Sequence, residues 1–426
     1  VEYYRDFYVV GQEDKPFTVE KRYIFNPDEY MFQLEVNIRN SVNEFIPLNF
    51  GGVAYSIGFE PQIGPTFQQL DQRNEWRRYQ AFIDDRARNQ NIGREGVAVV
   101  DERVRWAAIS GKYFSVIGVP DATDYDIIFT QKPAEGIPQG SQMYFARPVI
   151  RSSQNTDRFR FFVGPKVPAV LRAYDNAEDN AFGTNNLELT GVLETRFLLG
   201  WLENILKFIL QLINRVIPNY GVAIIILTVL VKALLWPLTH KSYQSTARMQ
   251  SLAPKVQEIK EKYADNPNKV NQETAALYKK EVVTPLCGCL PMLLQFPFFI
   301  AMFGLFNNHF DLRGATFIPG WIDDLSMPES IVNFGDFTLP LLGWNDLRLL
   351  PIIFVGTQLI TSKITQTPSS GSNSQMKLMT YALPIVFFFI LYNMPSGLLV
   401  YWIFSNVLTA GQQYYNNTLK QKRAAT

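Results

Sequence analysis

Histidine and cysteine are nearly absent from this chain, with two of each in 426 residues. A structural zinc site takes about four Cys or His ligands and a hydrolytic triad needs a base. His240 and His309 are therefore too few for metallo-hydrolase or histidine-triad chemistry. Cys287 and Cys289 lie one residue apart, too close for an ordinary disulfide. No nucleophile motif or converging carboxylate pair stands out. No repeat links the apolar segments, which weighs against the duplications of secondary transporters. From Val1 the chain is polar and strand-like, without the features of a signal peptide. Charge is also missing from long stretches: there is none between Leu290 and Phe306, nor in 349–362, 378–393 or 397–412.

The total charge of +1 averages two unlike halves. Residues 1–190 are charge-rich and alternate with period two. Phe32, Leu34, Val36 and Ile38 alternate with Gln33, Glu35, Asn37 and Arg39. Comparable runs are FTVEKRYIF (17–25), VRWAAI (104–109), FSVIGV (114–119), YDIIFT (125–130) and FRFFVG (159–164). Short strands between Gly, Pro and Asn turns predict an all-β sandwich. The polar insert from Gln68 to Arg94 reads as a loop or short helix. Such sandwiches can hold sugars, but no sugar site is picked out, and the aromatics are assigned to the core.

The period changes at Arg196. Gly200, Glu203, Asn204, Lys207, Gln211, Asn214 and Arg215 form a polar stripe at steps of three and four. Apolar residues fill most of the rest, predicting an amphipathic helix on the bilayer surface within 191–218. Next comes Gly221 to Thr239, GVAIIILTVLVKALLWPLT, an apolar run long enough to cross a bilayer with one charge, Lys232, inside it. A charge at such depth costs at least about 2.5–3.5 kcal/mol and is a functional-site hypothesis by default. Snorkelling to the cytoplasmic surface would oppose the lean of side chains toward the helix N-terminus. Thr228 shares its face one turn earlier.

Further apolar segments at 290–306, 349–362, 378–393 and 397–412 are short or carry Pro297 or Pro384. They predict a compact bundle in a thinned bilayer. The loops orient it. Residues 241–281 hold eight Lys/Arg against five acids, whereas 307–346 hold only Arg313 against six acids. Lys363, Lys377 and the tail (Lys420, Lys422, Arg423) fall on the basic side. Positive loops stay in the cytoplasm, so five spans follow, at 219–240 and within 287–412, with the acidic loop 307–346 outside and a basic tail at 413–426. The β domain is then extracytoplasmic, and its export calls for an upstream signal or anchor helix, expected ahead of this sequence. Residues 241–286 read as two polar helices split by Asp265-Asn266-Pro267-Asn268, a turn signal. A solvated charged face and a partner-docking surface both suit this hairpin.

VKALLWPLTH (231–240), AALYKKEVVTPLCGCLP (275–291), QFP (295–297) and MPSGLLVYWIFSN (394–406) resemble the YidC/Oxa/Alb family of membrane insertases. WAAISGKYF (106–114) and FVGPKVPAVLRAYD (162–175) are similar to the large periplasmic domain of its bacterial branch. The resemblance covers nearly the whole chain. It implies a β-supersandwich, a surface helix, five core spans and a cytoplasmic hairpin in a bacterial inner membrane. It also implies a positive residue in a hydrophilic groove, usually arginine; the matching position is Lys232, which keeps the charge and loses the planar fork. Thr228 and Tyr401 fall at or beside groove positions, Trp402 stands where some relatives have tyrosine, and Gln295 and Gln358 are polar groups at membrane depth. Cys289 matches a small position.

The resulting expectation is a non-enzymatic membrane protein insertase and folding chaperone without metal or cofactor. Its client groove would hold Lys232, Thr228, Gln295, Gln358, Tyr401 and Trp402, and Arg248, Lys255, Lys260 and Lys262 of the hairpin would recruit clients. Expected partners are nascent membrane proteins, the ribosome, the Sec translocon and lipids, with no nucleic-acid specificity. The alternatives are a secondary transporter or channel using Lys232 as an ion site, and an envelope enzyme acting through the β domain.

Overall fold

The structure is a computed structural model that describes residues 1–40, 43–59, 75–132, 140–193, 199–281, 290–335, 337–340, 342–365 and 374–425. The chain forms two compact units, Val1–Thr195 and Arg196–Thr426. The first unit extends past the expected boundary at 190, and Val192 is buried in its core.

The first unit is a sandwich of two antiparallel sheets. The strands are β1 (Glu2–Phe7), β2 (Phe17–Phe25), β3 (Met31–Asn40), β4 (Val53–Phe59), β5 (Arg78–Ile83) and β6 (Arg86–Gln90). They continue with β7 (Val97–Val100), β8 (Trp106–Ser110), β9 (Phe114–Val119), β10 (Asp126–Thr130), β11 (Gln142–Pro148) and β12 (Gln154–Pro165). One sheet runs β1-β2-β3-β12-β9-β8-β5-β6 and the other β4-β11-β10-β7. Leu34, Val36 and Ile38 of β3 point into the space between them, while Gln33, Glu35 and Asn37 face outward, as the alternation predicts.

Two strand readings change. β8 and most of β9 do not alternate, because both faces are covered. Ala107 and Ile109 meet the inner core, whereas Trp106 and Ala108 pack under the 168–193 segment through Leu171, Tyr174, Leu187 and Leu189. The Trp106 indole N–H donates to the Leu187 carbonyl at 3.0 Å. The polar insert is partly strand: β5 and β6 form a hairpin turning at Asp84 and Asp85, both with positive φ, and 68–74 lie outside the described residues. β6 (RARNQ) is an edge strand with charged outward residues, so its hydrophobic pattern is weak. Gly118 of β9 has no side chain for a packing reason, since a Cβ there would come within 2.4 Å of the Phe145 ring.

One buried ion pair ties the two sheets. Arg147 of β11 donates from Nε to Asp157 of β12 at 2.9 Å, and the Tyr55 hydroxyl of β4 also donates to Asp157. Burial and the neighbouring Asp157 carboxylate push the Tyr55 hydroxyl far up, so it remains a donor. Removing one partner of a buried pair leaves an uncompensated charge and costs about 3–5 kcal/mol. Asp157→Ala is therefore expected to destabilise the β unit by about that amount in urea unfolding followed by tryptophan fluorescence. Glu44→Ala, at the exposed pair with Lys15, should cost no more than about 1 kcal/mol.

The second unit is helical. Its elements are α2 (Gly200–Val216), α3 (Tyr220–Ser251), α4 (Ala253–Lys262), α5 (Pro267–Lys280), α6 (Leu290–Asn308), α7 (Leu350–Thr365), α8 (Ser374–Leu391) and α9 (Ser396–Ala425); the short α1 (Pro168–Arg172) belongs to the β unit. Leu202, Leu206 and Leu210 of α2 pack into the same core as Leu227, Met302, Phe306, Phe354 and Leu399. The other apolar face of α2, with Trp201, Phe208, Leu212 and Val216, is exposed. Among the described residues, one stretch, Tyr220–His240, is long and apolar enough to cross a bilayer by itself. Shorter apolar stretches occupy α6, α7 and α8 at Leu293–Asn307, Leu350–Ile364 and Ala382–Leu391.

α3 does not stop at 240. It continues through Pro237 to Ser251, so the hairpin expected from 241 consists of α4 and α5 alone. Its turn is set by Asn266, whose side chain accepts from the Lys269 backbone N–H, with Pro267 as the first helical residue. Both are residue types that favour helix starts. No residue of α5 is buried, so this pair has only a weak core.

Candidate functional site: a lysine on a polar helix seam

α3 buries Ala223, Ile224, Leu227 and Val231 in the bundle while Leu230 and Leu234 face outward. Lys232 lies between these faces and turns toward α6 and α9. Its ammonium donates to Gln295 Oε1 of α6 at 3.1 Å and to Thr409 Oγ1 of α9 at 2.8 Å. Gln295 is held in turn, its Nε2 donating to Ser405 Oγ at 2.8 Å. Three helices far apart in sequence thus meet at one charge.

The threonines along this seam share an arrangement. Thr409 donates its hydroxyl proton to the Ser405 carbonyl, Thr228 to Ile224, and Thr239 to Leu235, at 2.7–3.0 Å. Ser and Thr hydroxyls in helices commonly bond back one turn. With the proton committed to the helix, the oxygen lone pairs remain as acceptors. Thr409 uses one for Lys232, and Thr239 accepts from Gln412 Nε2 at 3.3 Å. The seam therefore stabilises a cation without an anion. Both described partners of the Lys232 ammonium are neutral.

Of the expected groove residues, the structure brings Lys232 and Gln295 into direct contact. Thr228 is fully buried one turn away on the same face. Tyr401 is buried with Gln295 as its polar neighbour. Trp402 lies elsewhere, its ring 4.6 Å from Phe299, 4.9 Å from Phe354 and 5.6 Å from Phe387. It is a packing residue joining α6, α7 and α8 to α9. Gln358 is half-buried on α7, beside a separate polar contact in which Thr361 donates to the Asn406 carbonyl at 3.2 Å. The cations expected to recruit clients are exposed, but Arg248 lies at the end of α3 rather than on the hairpin, with Lys260 and Lys262 at the end of α4 and Lys255 3.6 Å from Glu281.

Thr409, Gln412 and Thr239 complete the seam and are not among the expected site residues. A signal for them exists in the spacing. Ser405, Thr409, Gln412 and Asn416 fall at i, i+4, i+7 and i+11 on α9, one helical face. Thr228, Lys232, Thr239 and Ser242 fall at i, i+4, i+11 and i+14 on α3. Lys232 meets Thr409, and seven residues later Thr239 meets Gln412, so the two helices run parallel.

A β-sandwich unit followed by a helical unit, with a bilayer-length helix carrying a lone ammonium on a polar seam, defines a membrane protein with a large water-exposed domain. Comparison with known proteins agrees for both units. A family model described as 60Kd inner membrane protein matches residues 212–423, and one for the YidC periplasmic domain matches residues 9–212. A Treponema denticola protein named membrane protein insertase YidC is 41% identical over 99% of this chain and 73% of its own length. A Treponema pallidum protein of the same name is 36% identical over 93% of this chain and 68% of its own. A crystal structure described as an active YidC insertase with its first transmembrane domain resolved covers 97% of this chain and 79% of that one, at 16% identity and a TM-score of 0.45. The chain belongs to the YidC family of inner-membrane insertases, and its β unit is the periplasmic domain.

Water access is the property that separates a groove from a sealed lysine. In a Cys287→Ser, Cys289→Ser background, single cysteines at Lys232, Gln295 and Thr409 are expected to react with a membrane-impermeant maleimide added from the cytoplasmic side. Cysteines at Leu230 and Leu234, which face outward from the bundle, are expected to stay unlabelled. Reaction at 232 from both sides of the membrane would favour a transport path instead.

Proposed function

We propose that the α3–α6–α9 seam is a client groove and that Lys232 is its working charge. The observation that carries this reading is the neutral solvation of Lys232: an ammonium at membrane depth, held by Gln295 and Thr409. A carboxylate partner inside the protein would cancel the positive potential. Neutral acceptors hold the charge in place and leave it able to attract an acidic or polar segment of a client. A hydrogen bond to a charged group contributes about 1.5–3 kcal/mol, enough to offset part of the cost of bringing a polar terminus into the membrane. The client's apolar span then moves out into lipid, and this burial supplies the driving force, about 25 cal/mol per Å².

The cycle has no covalent step and needs no cofactor, so the reading is of a non-enzymatic insertase that also acts as a folding chaperone. Nascent membrane proteins are the clients, and the ribosome and the Sec translocon are the expected suppliers of chain. Arg248, Lys255, Lys260 and Lys262 present an exposed basic surface on the cytoplasmic side that suits first contact.

Lys232→Ala is expected to slow insertion of clients with acidic translocated segments by roughly tenfold or more, the value of one charge-assisted hydrogen bond. Clients whose translocated segment lacks acids should be affected less, and Lys232→Arg should retain most activity. Protease protection of reconstituted clients measures all three. Full activity of Lys232→Ala across acidic clients would remove the reading.

A further inference from the structure

The connection between α6 and α7 carries an apolar surface that the Lys232 seam does not explain. Two short strands, β13 (Val332–Asn333) and β14 (Asp346–Leu347), pair antiparallel. Further backbone bonds from Ile331 to Leu347, Phe334 to Asn345 and Leu339 to Trp344, at 2.7–2.9 Å, keep the chain folded back on itself beyond the strands. Polar groups of this hairpin bond to one another. The Asp346 carboxylate accepts from Ser330 and Asn333, each at 2.8 Å, and pairs with Arg348 at 3.4 Å. Large apolar side chains turn outward: Phe337 is 59% exposed, Ile331 47%, Val332 44%, and Leu342 and Leu347 43% each. In water such a patch would be an association hazard.

The hairpin's attachment indicates what covers it. The Trp344 ring stacks on Tyr392 at 3.5 Å and meets Phe388 and Phe389 at 5.8 and 5.9 Å. Tyr392 directly follows α8, and the two phenylalanines lie in its last turn. Arg348 adds a second clamp, its guanidinium donating to the Tyr392 carbonyl at 2.7 Å and to the Asn393 side chain. Phe389 belongs, with Ile385, Val386 and Ile390, to the exposed apolar face of α8. The hairpin is thus fixed at the level of the last turn of a membrane helix. A stacked Trp–Tyr pair at that level suits the membrane–water interface, where these residues concentrate.

We propose that the β13–β14 hairpin is seated in the membrane: its apolar side chains enter the periplasmic leaflet beside α8, and lipid covers them. The proposal rests on the bundle crossing the bilayer and is independent of the client mechanism. Nothing in it requires Lys232.

The test uses the full chain with Cys287→Ser and Cys289→Ser. Single cysteines at Phe337 and Leu342 carry an environment-sensitive fluorophore, in vesicles of phosphatidylcholine and phosphatidylglycerol. Val386→Cys on α8 reports embedding of the bundle, and Lys279→Cys on the exposed surface of α5 reports water. Doxyl-labelled phospholipids are expected to quench the probes at 337, 342 and 386 and to leave 279 bright. An interfacial element sits about 5–10 Å into the headgroup–acyl boundary, so a shallow doxyl group should cause a larger loss than a deep one at 337 and 342. Quenching at 386 with none at 337 and 342 overturns the proposal and leaves the membrane reading of the bundle standing. A blue-shifted emission in that case would assign the cover to protein, either the β unit or a second copy. No quenching at 386 would remove both.

Discussion

The helical unit is organised by the solvation of one ammonium. Lys232 stands in a helix that is otherwise apolar for the length of a bilayer, and desolvation of an unmatched charge there costs several kcal/mol. The described acceptors of Lys232 come from other helices, Gln295 of α6 and Thr409 of α9. Gln295 and Thr409 bring α6 and α9 to α3 at this charge. A carboxylate would have satisfied the ammonium more strongly, but it would also have neutralised it. The neutral pair stabilises the charge and preserves its field, and a site of that kind can receive a negative group in transit.

The surfaces around this seam follow a different solvent logic from those of the β unit. Leu230, Leu234, Ile385, Val386 and Phe389 are exposed on the helical unit, an arrangement that water would penalise and lipid tails do not. The β unit has apolar cores between and beneath its sheets, with Phe25, Phe45, Phe50 and Val99 among the side chains left exposed, and it buries the Arg147–Asp157 pair that crosses the sandwich. That pair is matched within the domain, whereas both described partners of the Lys232 ammonium are neutral.

Much of this was legible from the residues. Period-two runs located β2, β3 and β10, in which core-facing residues alternate with more exposed ones, and β12, where Phe159 and Phe161 enter the inner core although Phe162 is buried on the opposite face. The passage to a helical period near Arg196 located α2, and Asn266-Pro267 located the start of α5 through capping chemistry that acts within a few residues. β6 was missed because its side chains are polar on an edge, and the extension of α3 to Ser251 because a polar continuation of a helix has no apolar boundary to mark. β8 and β9 were found as strands but not as doubly buried ones, since the 168–193 segment that covers them is distant in sequence.

At the site, the sequence by itself determined that a charge would lie at membrane depth and that Thr228 would share its face, because both follow from composition and the 3.6-residue turn. Only the tertiary structure decided which groups solvate the charge. Gln295, Ser405 and Thr409 come from helices 63 to 177 residues from Lys232, and their meeting depends on how three helices pack. The same packing sent Tyr401 toward Gln295 and its neighbour Trp402 toward Phe299 and Phe354. Adjacent residues on a helix point about 100° apart, so neighbours in sequence face different surroundings once the bundle has formed.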